Sequence, residues 1–374
     1  MHRALRLARR GEYTCSPNPA VGCVIVRDGR VLGEGYHRRA GCPHAEIMAL
    51  EDAASRGNEV RGATVYVTLE PCSHQGRTPP CAARLVEEGV AQVVVANEDP
   101  NPQVSGRGLA MLRQAGIRVF EGVLQNKAAH LNRAFFKAIS TGLPYVTVKV
   151  AMSLDAASSL RDGQSKWLTS PRSRRRVQRL RASCQAVITG SGTVLADNPR
   201  LNVRYEELPG TVRDFVTAQE LPQPLRVVLD GRGRLAGQDL NVFSGQPTLW
   251  CTAKAQLSVP SAAENLCLPR TAEGALDLRA LLGELGRRQI RHVLVESGPT
   301  LTASFLSSGL VDELLVFTGP LILGDESRPA FALKAPPSLD KAQHFSLYRA
   351  KKLGDDVLLQ YLVPPLQGET CLPA

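Results

Sequence analysis

The chain has 374 residues, 43% hydrophobic and 21% charged, with a formal net charge of +10. That balance excludes a disordered or low-complexity chain, the length fits two domains each with its own core, and no apolar run approaches the ~20 residues of a membrane span. The positive charge is spread evenly, 18 basic against 13 acidic residues through Leu143 and 27 against 22 beyond it, which excludes a dedicated basic tail for nucleic acid.

Met1 to Arg10 alternates arginine with alanine and leucine and lacks the apolar centre of a signal peptide, so it reads as an amphipathic helix and points to a cytoplasmic enzyme. The nine cysteines (15, 23, 42, 72, 81, 184, 251, 267 and 371) are odd in number and scattered, a pattern of thiols rather than of a secreted disulfide framework. Thr14 to Pro19 is a turn-rich connection into a strand over Val21 to Val26, and Gly35-Tyr36-His37 leads toward Cys42-Pro43-His44-Ala45-Glu46. Pro43 suits the first turn of a helix running from Ala45 to Ser55. The alternating run Ala63 to Leu69 predicts a strand that ends at Glu70-Pro71-Cys72, and Pro80 to Glu88 predicts a second helix opening at Cys81.

His44, Cys72 and Cys81 are the ligand types of a mononuclear zinc site. One imidazole and two thiolates offset the charge of Zn²⁺ and keep the fourth tetrahedral position for a water whose pKa the metal lowers to about 7. Glu46, two residues from the histidine, is placed to move the proton of that water to a leaving amine, a task reserved for a glutamate that is not a ligand. Thiolates at a helix start are stabilised by its dipole. A purely structural zinc would need a fourth ligand, for which Cys42 and His74 are the neighbours at hand.

The segment 73–80 between the two cysteines carries His74 and Arg77 and suits a phosphate. Gln92 to Ala96 predicts a strand ending in Asn97-Glu98-Asp99-Pro100-Asn101-Pro102, where Asp99 and Asn101 are either contacts to a heterocycle or ordinary turn residues before proline. Leu109 to Ala115, a short strand over Ile117 to Phe120 and one helix over Gln125 to Thr141 complete an alternating α/β domain, residues 1–143, which closes at Gly142-Leu143-Pro144.

The motifs Pro17-Asn18-Pro19, Ala40-Gly41-Cys42-Pro43-His44-Ala45-Glu46, Leu69-Glu70-Pro71-Cys72-Ser73-His74, Arg77-Thr78-Pro79-Pro80-Cys81 and Asp99-Pro100-Asn101-Pro102, in this order, closely resemble the bifunctional riboflavin-biosynthesis deaminase-reductase family. Eight residues separate Cys72 from Cys81, which is that family's own pattern, and the resemblance runs on through nearly the whole chain. It implies a cytidine-deaminase-like three-layer α/β/α domain with one Zn²⁺, followed by a dihydrofolate-reductase-like α/β domain over residues 145–365 and a tail over 366–374. Asn18 and His37 join His74, Arg77, Asp99 and Asn101 as candidate contacts of the deaminase substrate.

In the second half a strand over Tyr145 to Val150 precedes Ala151-Met152-Ser153-Leu154-Asp155, and no Gly-x-Gly-x-x-Gly follows a strand, so a Rossmann site is not supported. Two strands, Ala186 to Thr189 and His292 to Glu296, instead run into Gly190-Ser191-Gly192-Thr193 and Ser297-Gly298-Pro299-Thr300, exposing backbone N–H groups that suit an anion or simply cap a helix. A helix over Ser170 to Arg181 buries Val177, Leu180 and Cys184 and leaves Arg172, Arg174, Arg175, Arg176 and Arg179 as a solvated face; a surface loop follows over 205–224. Trp167 either packs on a flat ring or lies in the core.

The resemblance implies that this half binds NADPH. Ala151, Trp167, Thr193, Asp197 and the loop Gly298, Pro299, Thr300, Leu301, Thr302, Ala303 and Ser304 would border the cofactor; Ser165, Arg181, Leu201, Arg204 and Glu296 would contact a ribosyl phosphate. The family often carries Asp-Gly and a basic residue where this chain has Asp155-Ala156-Ala157. The implied partners are small phosphorylated pyrimidines, with no nucleic acid and no membrane, in a homo-oligomer, dimer or tetramer. The rival from another class is a nucleic-acid base deaminase whose second half binds RNA.

Overall fold

The computed structural model describes residues 1–73, 80–101, 104–255 and 258–363, and the chain divides into two compact units. Of the described residues, the first comprises Met1–Gly142 with Phe215–Leu221, the second Leu143–Asp214 with 222–363.

The first unit runs α1 (His2–Gly11), β1 (Gly22–Arg27), β2 (Arg30–Tyr36), α2 (Ala45–Ser55), β3 (Thr64–Val67), α3 (Cys81–Glu87), β4 (Gln92–Val95), α4 (Arg107–Gln114), β5 (Arg118–Phe120), α5 (Gln125–Leu131) and α6 (Arg133–Thr141). Its sheet has the order β2-β1-β3-β4-β5, with β1 antiparallel to both neighbours and β3, β4 and β5 parallel. Strand alternation sorts the side chains of β1: Cys23 and Ile25 pack with Ala49, Leu85 and Leu109 on one face, and Val24 packs with Ala4 and Leu7 of α1 on the other. The result is three layers. A fully buried leucine such as Leu85 contributes about 1.5–3 kcal/mol relative to an exposed one.

The hairpin β1-β2 was not anticipated, although its signal is an Asp28-Gly29 turn with both φ positive (52° and 75°). On β2, a Cβ at Gly33 would lie 2.2 Å from the carbonyl oxygen of Ala49, and one at Gly35 would lie 2.5 Å from its nitrogen. Glycine there lets α2 lie directly on the sheet, which fixes the depth of His44 and Glu46.

The single helix expected over Gln125 to Thr141 is two helices broken at Asn132. Its side-chain amide accepts from the Ala20 N–H at 2.8 Å and donates to the Ala20 carbonyl at 3.0 Å. This reciprocal pair holds the backbone off helical geometry (φ −101°, ψ 18°). Helical periodicity carries no trace of such a long-range contact.

The second unit contains β6 (Tyr145–Met152), β7 (Ala157–Ser159), α7 (Pro171–Ser183), β8 (Ala186–Gly190), α8 (Ser191–Asp197), α9 (Gly210–Arg213), β9 (Leu225–Leu229), β10 (Thr248–Thr252), β11 (Ala263–Cys267), α10 (Leu278–Arg287), β12 (His292–Glu296), α11 (Pro299–Ser307), β13 (Glu313–Thr318), β14 (Arg328–Pro329), β15 (Ser346–Leu353) and β16 (Asp356–Leu362). Among the described residues its large sheet has the order β11-β10-β9-β8-β12-β6-β13-β16-β15, parallel from β11 to β13 and closed by an antiparallel hairpin. Val148, Ile188, Val227 and Val295 face α10 and α11, while Val187, Val228, Leu294 and Phe317 face α7 and α8. Two-sided burial explains the continuous apolar runs of these strands.

The stretch 205–224 is not purely a surface loop: it contains α9 and buries Leu208, Val212, Val216 and Leu221. Among the described residues no helix is long and apolar enough to cross a membrane.

Candidate active sites

His44 is the N-cap of α2 (φ −71°, ψ 166°), so the helix begins at Ala45 and Pro43 sits one residue ahead of the cap rather than in the first turn. Cys81 is the first residue of α3, and its backbone N–H donates to the Cys72 sulfur at 3.3 Å. The Nδ1 of His44 lies 3.6 Å from the sulfur of Cys72 and 3.4 Å from that of Cys81. A tetrahedral zinc with bonds of about 2.05 Å to nitrogen and 2.3 Å to sulfur requires nitrogen–sulfur separations of about 3.6 Å. The three donors fit zinc.

Cys72 is drawn down to a pKa of about 4, first by its hydrogen bond with Cys81 and further by His44, against the opposing effect of burial. The Cys81 thiol is pushed up by that same hydrogen bond and by burial. Glu46, in the first turn of α2, is 3% exposed, and burial raises its carboxyl to about 7 while His44 works against the shift. A carboxyl beside this donor set, buried and outside it, is the arrangement that proton transfer to and from a water requires.

Among the described residues Cys42 is not part of the donor cluster, and it is exposed. His74 and Arg77 lie outside the described residues. His37 stands edge-on to His44, with ring centroids 5.4 Å apart. Its Nδ1 faces the Pro43 carbonyl at 3.1 Å, which only accepts, so Nδ1 carries the proton and Nε2 accepts from the Asn18 amide at 3.0 Å. His37 therefore holds the Asn18 amide beside His44. Asp99 folds its own turn by accepting from the Asn101 N–H at 2.9 Å.

Sequence reasoning missed Glu70. It is 4% exposed, and its carboxylate accepts from the backbone N–H groups of Asp99, Gly106, Gly108 and Leu109. A carboxylate between Leu69 and Pro71 directly after an apolar strand is the signal.

In the second unit, parallel pairing of β12 with β6 sets Glu296 beside Lys149. The Lys149 ammonium is 3.8 Å from Glu296, and Arg181 reaches both carboxylate oxygens, one of them at 3.0 Å. Burial acts to raise the Glu296 carboxyl, but Arg181 and then Lys149 hold it below the usual carboxylate range. Lys149 was also missed, although a lone lysine inside Tyr145–Val150 marks it.

Thr193 ties the two glycine loops together by accepting from the Gly298 N–H at 3.1 Å. Asp197 and Thr300 are exposed; Ala151, Ser165, Pro299, Leu301 and Ser304 are half-buried. Thr302 and Ala303 turn into the core, and Leu201 is buried with a positive φ of 54°. Arg204 pairs with Glu207 at 2.8 Å. Trp167 is no core residue: it is 67% exposed and lies under the Arg174 guanidinium at 4.2 Å, which removes Arg174 from the solvated face expected of α7. Ala156 adopts φ +60°, the left-handed conformation that the family's glycine takes without strain.

Residues 1–97 match the family described as the cytidine and deoxycytidylate deaminase zinc-binding region, and residues 144–359 match that described as the RibD C-terminal domain. The riboflavin biosynthesis protein RibD of Escherichia coli is 46% identical over 360 residues, covering 96% of this chain and 97% of its own. Its Haemophilus influenzae counterpart is 42% identical over 364 residues, 96% of each chain. Among solved structures, Acinetobacter baumannii RibD has a TM-score of 0.85 at 41% identity, covering 96% of this chain and 97% of that one. A Thermotoga maritima protein described as a diaminohydroxyphosphoribosylaminopyrimidine deaminase/5-amino-6-(5-phosphoribosylamino)uracil reductase has a TM-score of 0.86 at 34% identity over 97% of each chain. None of these similarities favours an RNA-binding second half. With that identity sustained from end to end, through a deaminase region and then a reductase region, the chain belongs to the bifunctional riboflavin-biosynthesis deaminase-reductase family.

Proposed function

We propose that the chain catalyses two consecutive steps of riboflavin biosynthesis, a hydrolytic deamination within residues 1–143 and an NADPH-dependent reduction within residues 145–365. The substrate of the first is 2,5-diamino-6-ribosylamino-4(3H)-pyrimidinone 5′-phosphate. His44, Cys72 and Cys81 would hold zinc, which would acidify a water. Glu46 takes a proton from that water and passes it to the amine at C2; a C2–oxygen bond forms, the C2–nitrogen bond breaks and ammonia leaves. Asn18, held by His37, and the turn carrying Asp99 and Asn101 orient the heterocycle, with His74 and Arg77 as further contacts.

NADPH, when bound, supplies the hydride that converts the ribosyl group of the deaminated product into a ribityl chain at C1′. The loops joined by Thr193 and Gly298 present backbone N–H groups to it, alongside Ala151, Trp167, Asp197 and the turn 299–304. Arg181 and Lys149 fix the Glu296 carboxylate toward the sugar, and Ser165, Leu201 and Arg204 complete the phosphate side. The chain works in the cytoplasm on small phosphorylated pyrimidines, as a homo-oligomer and without nucleic acid.

The observation that carries this reading is the buried Glu46 beside three donors at zinc spacing. Purified protein is incubated with the diamino substrate while ammonia and NADPH oxidation are followed separately, with and without chelator. Ammonia release that stops with chelator, and NADPH oxidation that persists when the deaminated intermediate is supplied, is the expected result. Ammonia release untouched by metal removal would overturn it.

A further inference from the structure

Glu70 has more to do than cap a helix. Its Oε1 accepts from the N–H groups of Gly108 (2.9 Å) and Leu109 (3.3 Å), the first turn of α4, where such donors have no partner within the helix. Its Oε2 accepts from Asp99 (3.2 Å) and Gly106 (3.0 Å), so the start and the end of the loop 99–106 converge on one oxygen atom. The backbone N–H of Glu70 also donates to the Asn97 carbonyl at 2.9 Å. Among the described residues no cation pairs with this carboxylate, and its charge is met by backbone dipoles alone. Two residues further on stands Cys72.

The approach is close enough to require glycine. A Cβ at Gly108 would lie 2.0 Å from the Pro71 carbonyl oxygen, and Gly106 sits at φ +71°. One side chain thus fixes the loop bearing Asp99 and Asn101 relative to a metal donor.

We propose that Glu70 is a positioning residue of the deaminase, holding the turn at Asp99 and Asn101 where it presents the pyrimidine to Glu46 and to the donors His44, Cys72 and Cys81. This rests on the reading above that Asp99 and Asn101 meet the substrate. A helix cap alone would predict lost stability and nothing specific to substrate. A positioning role predicts a defect in substrate binding that travels through the loop, since small displacements of a positioning element cost up to about a hundredfold.

The test compares Glu70→Gln, Asn101→Ala and their double variant in the full chain, measuring KM and kcat for ammonia release, zinc content, and NADPH oxidation with the deaminated intermediate. Glu70→Gln keeps the shape but turns an NH₂ group toward two backbone donors. We expect one zinc per chain, unchanged reduction, and kcat/KM for deamination lowered about tenfold to a hundredfold, mostly through KM. The double variant should be no worse than the weaker single one, because both act on the same loop. Gly106→Ala, which strains the other anchor and leaves Glu70 in place, should raise KM in the same sense and covers the case of a Glu70→Gln chain that does not fold.

An unchanged KM in Glu70→Gln or in Gly106→Ala, beside a raised one in Asn101→Ala, overturns the inference alone. So do independent, multiplying effects in the double variant, or loss of zinc in Glu70→Gln. An unchanged KM in Asn101→Ala sinks the reading of the loop and the inference with it.

Discussion

In the first unit the donor atoms and the proton-carrying group come from two short stretches, 44–46 and 72–81, each set at or beside the start of a helix that packs on the sheet. In the second unit Lys149, Arg181, Thr193 and Glu296 come from four separate elements and meet only because parallel strands place their ends side by side. One site is held by local geometry awaiting an ion, the other by ionic and hydrogen bonds among its own residues. The first should therefore survive perturbation of the charges around it, while the second should lose structure along with chemistry.

The sharpest way to break that contrast is Glu46→Gln. It should lower ammonia release on the order of 10³-fold or more while zinc content and NADPH oxidation with the deaminated intermediate stay as they are. Loss of zinc from this variant, read by metal analysis, would show that Glu46 helps to build the donor set.

Arg181→Met leaves Glu296 buried without its main partner, and breaking such a pair costs about 3–5 kcal/mol. Urea unfolding should show that loss at neutral pH together with impaired reduction. The pH dependence has a definite sign. In the wild type the Glu296 carboxyl lies below its ordinary value, so its contribution is present above the unfolded pKa of about 4.3 and fades as the pH falls through the folded one. The deficit of Arg181→Met should therefore shrink as the pH falls below about 4.3. A deficit independent of pH would mean that packing, not charge, holds the pair together.

Arg226 is another buried charge of the second unit. Its guanidinium is 2% exposed and donates to the carbonyls of Asn241 (3.1 Å) and Ser244 (3.0 Å), with that of Gln246 also in reach. Arg226→Met strips the donors from these carbonyls and should cost about 2–3 kcal/mol, again by urea unfolding, with no effect on ammonia release. At the small end, Ala156→Gly relieves a left-handed alanine and should stabilise by about 1 kcal/mol, visible as a modest rise in Tm.

This division also explains what was legible in the residues. His44, Glu46, Cys72 and Cys81 could be read directly because a metal site imposes residue type and spacing on neighbouring stretches. Lys149 could not, since strand neighbours in space are remote in sequence and pattern reveals a strand without its register. Alternation gave β3 and apolar runs gave β6, β8 and β12, whereas the hairpin strand β2 escaped because Gly33 and Gly35 remove its apolar signal. Trp167 stayed open between a flat ring and the core, because hydrophobicity argues for burial while a guanidinium in another element supplies its companion.

The reciprocal bonds between Asn132 and Ala20 bear on how the deaminating half can be cut out and used by itself. They staple a residue near the end of that half to the strand entrance near its beginning, so a fragment stopping at Leu131 strands a buried amide and a buried carbonyl at Ala20. The shortest excision worth making runs through α6 to Gly142, and any circular rearrangement of the gene has to keep both sides of that staple within one piece.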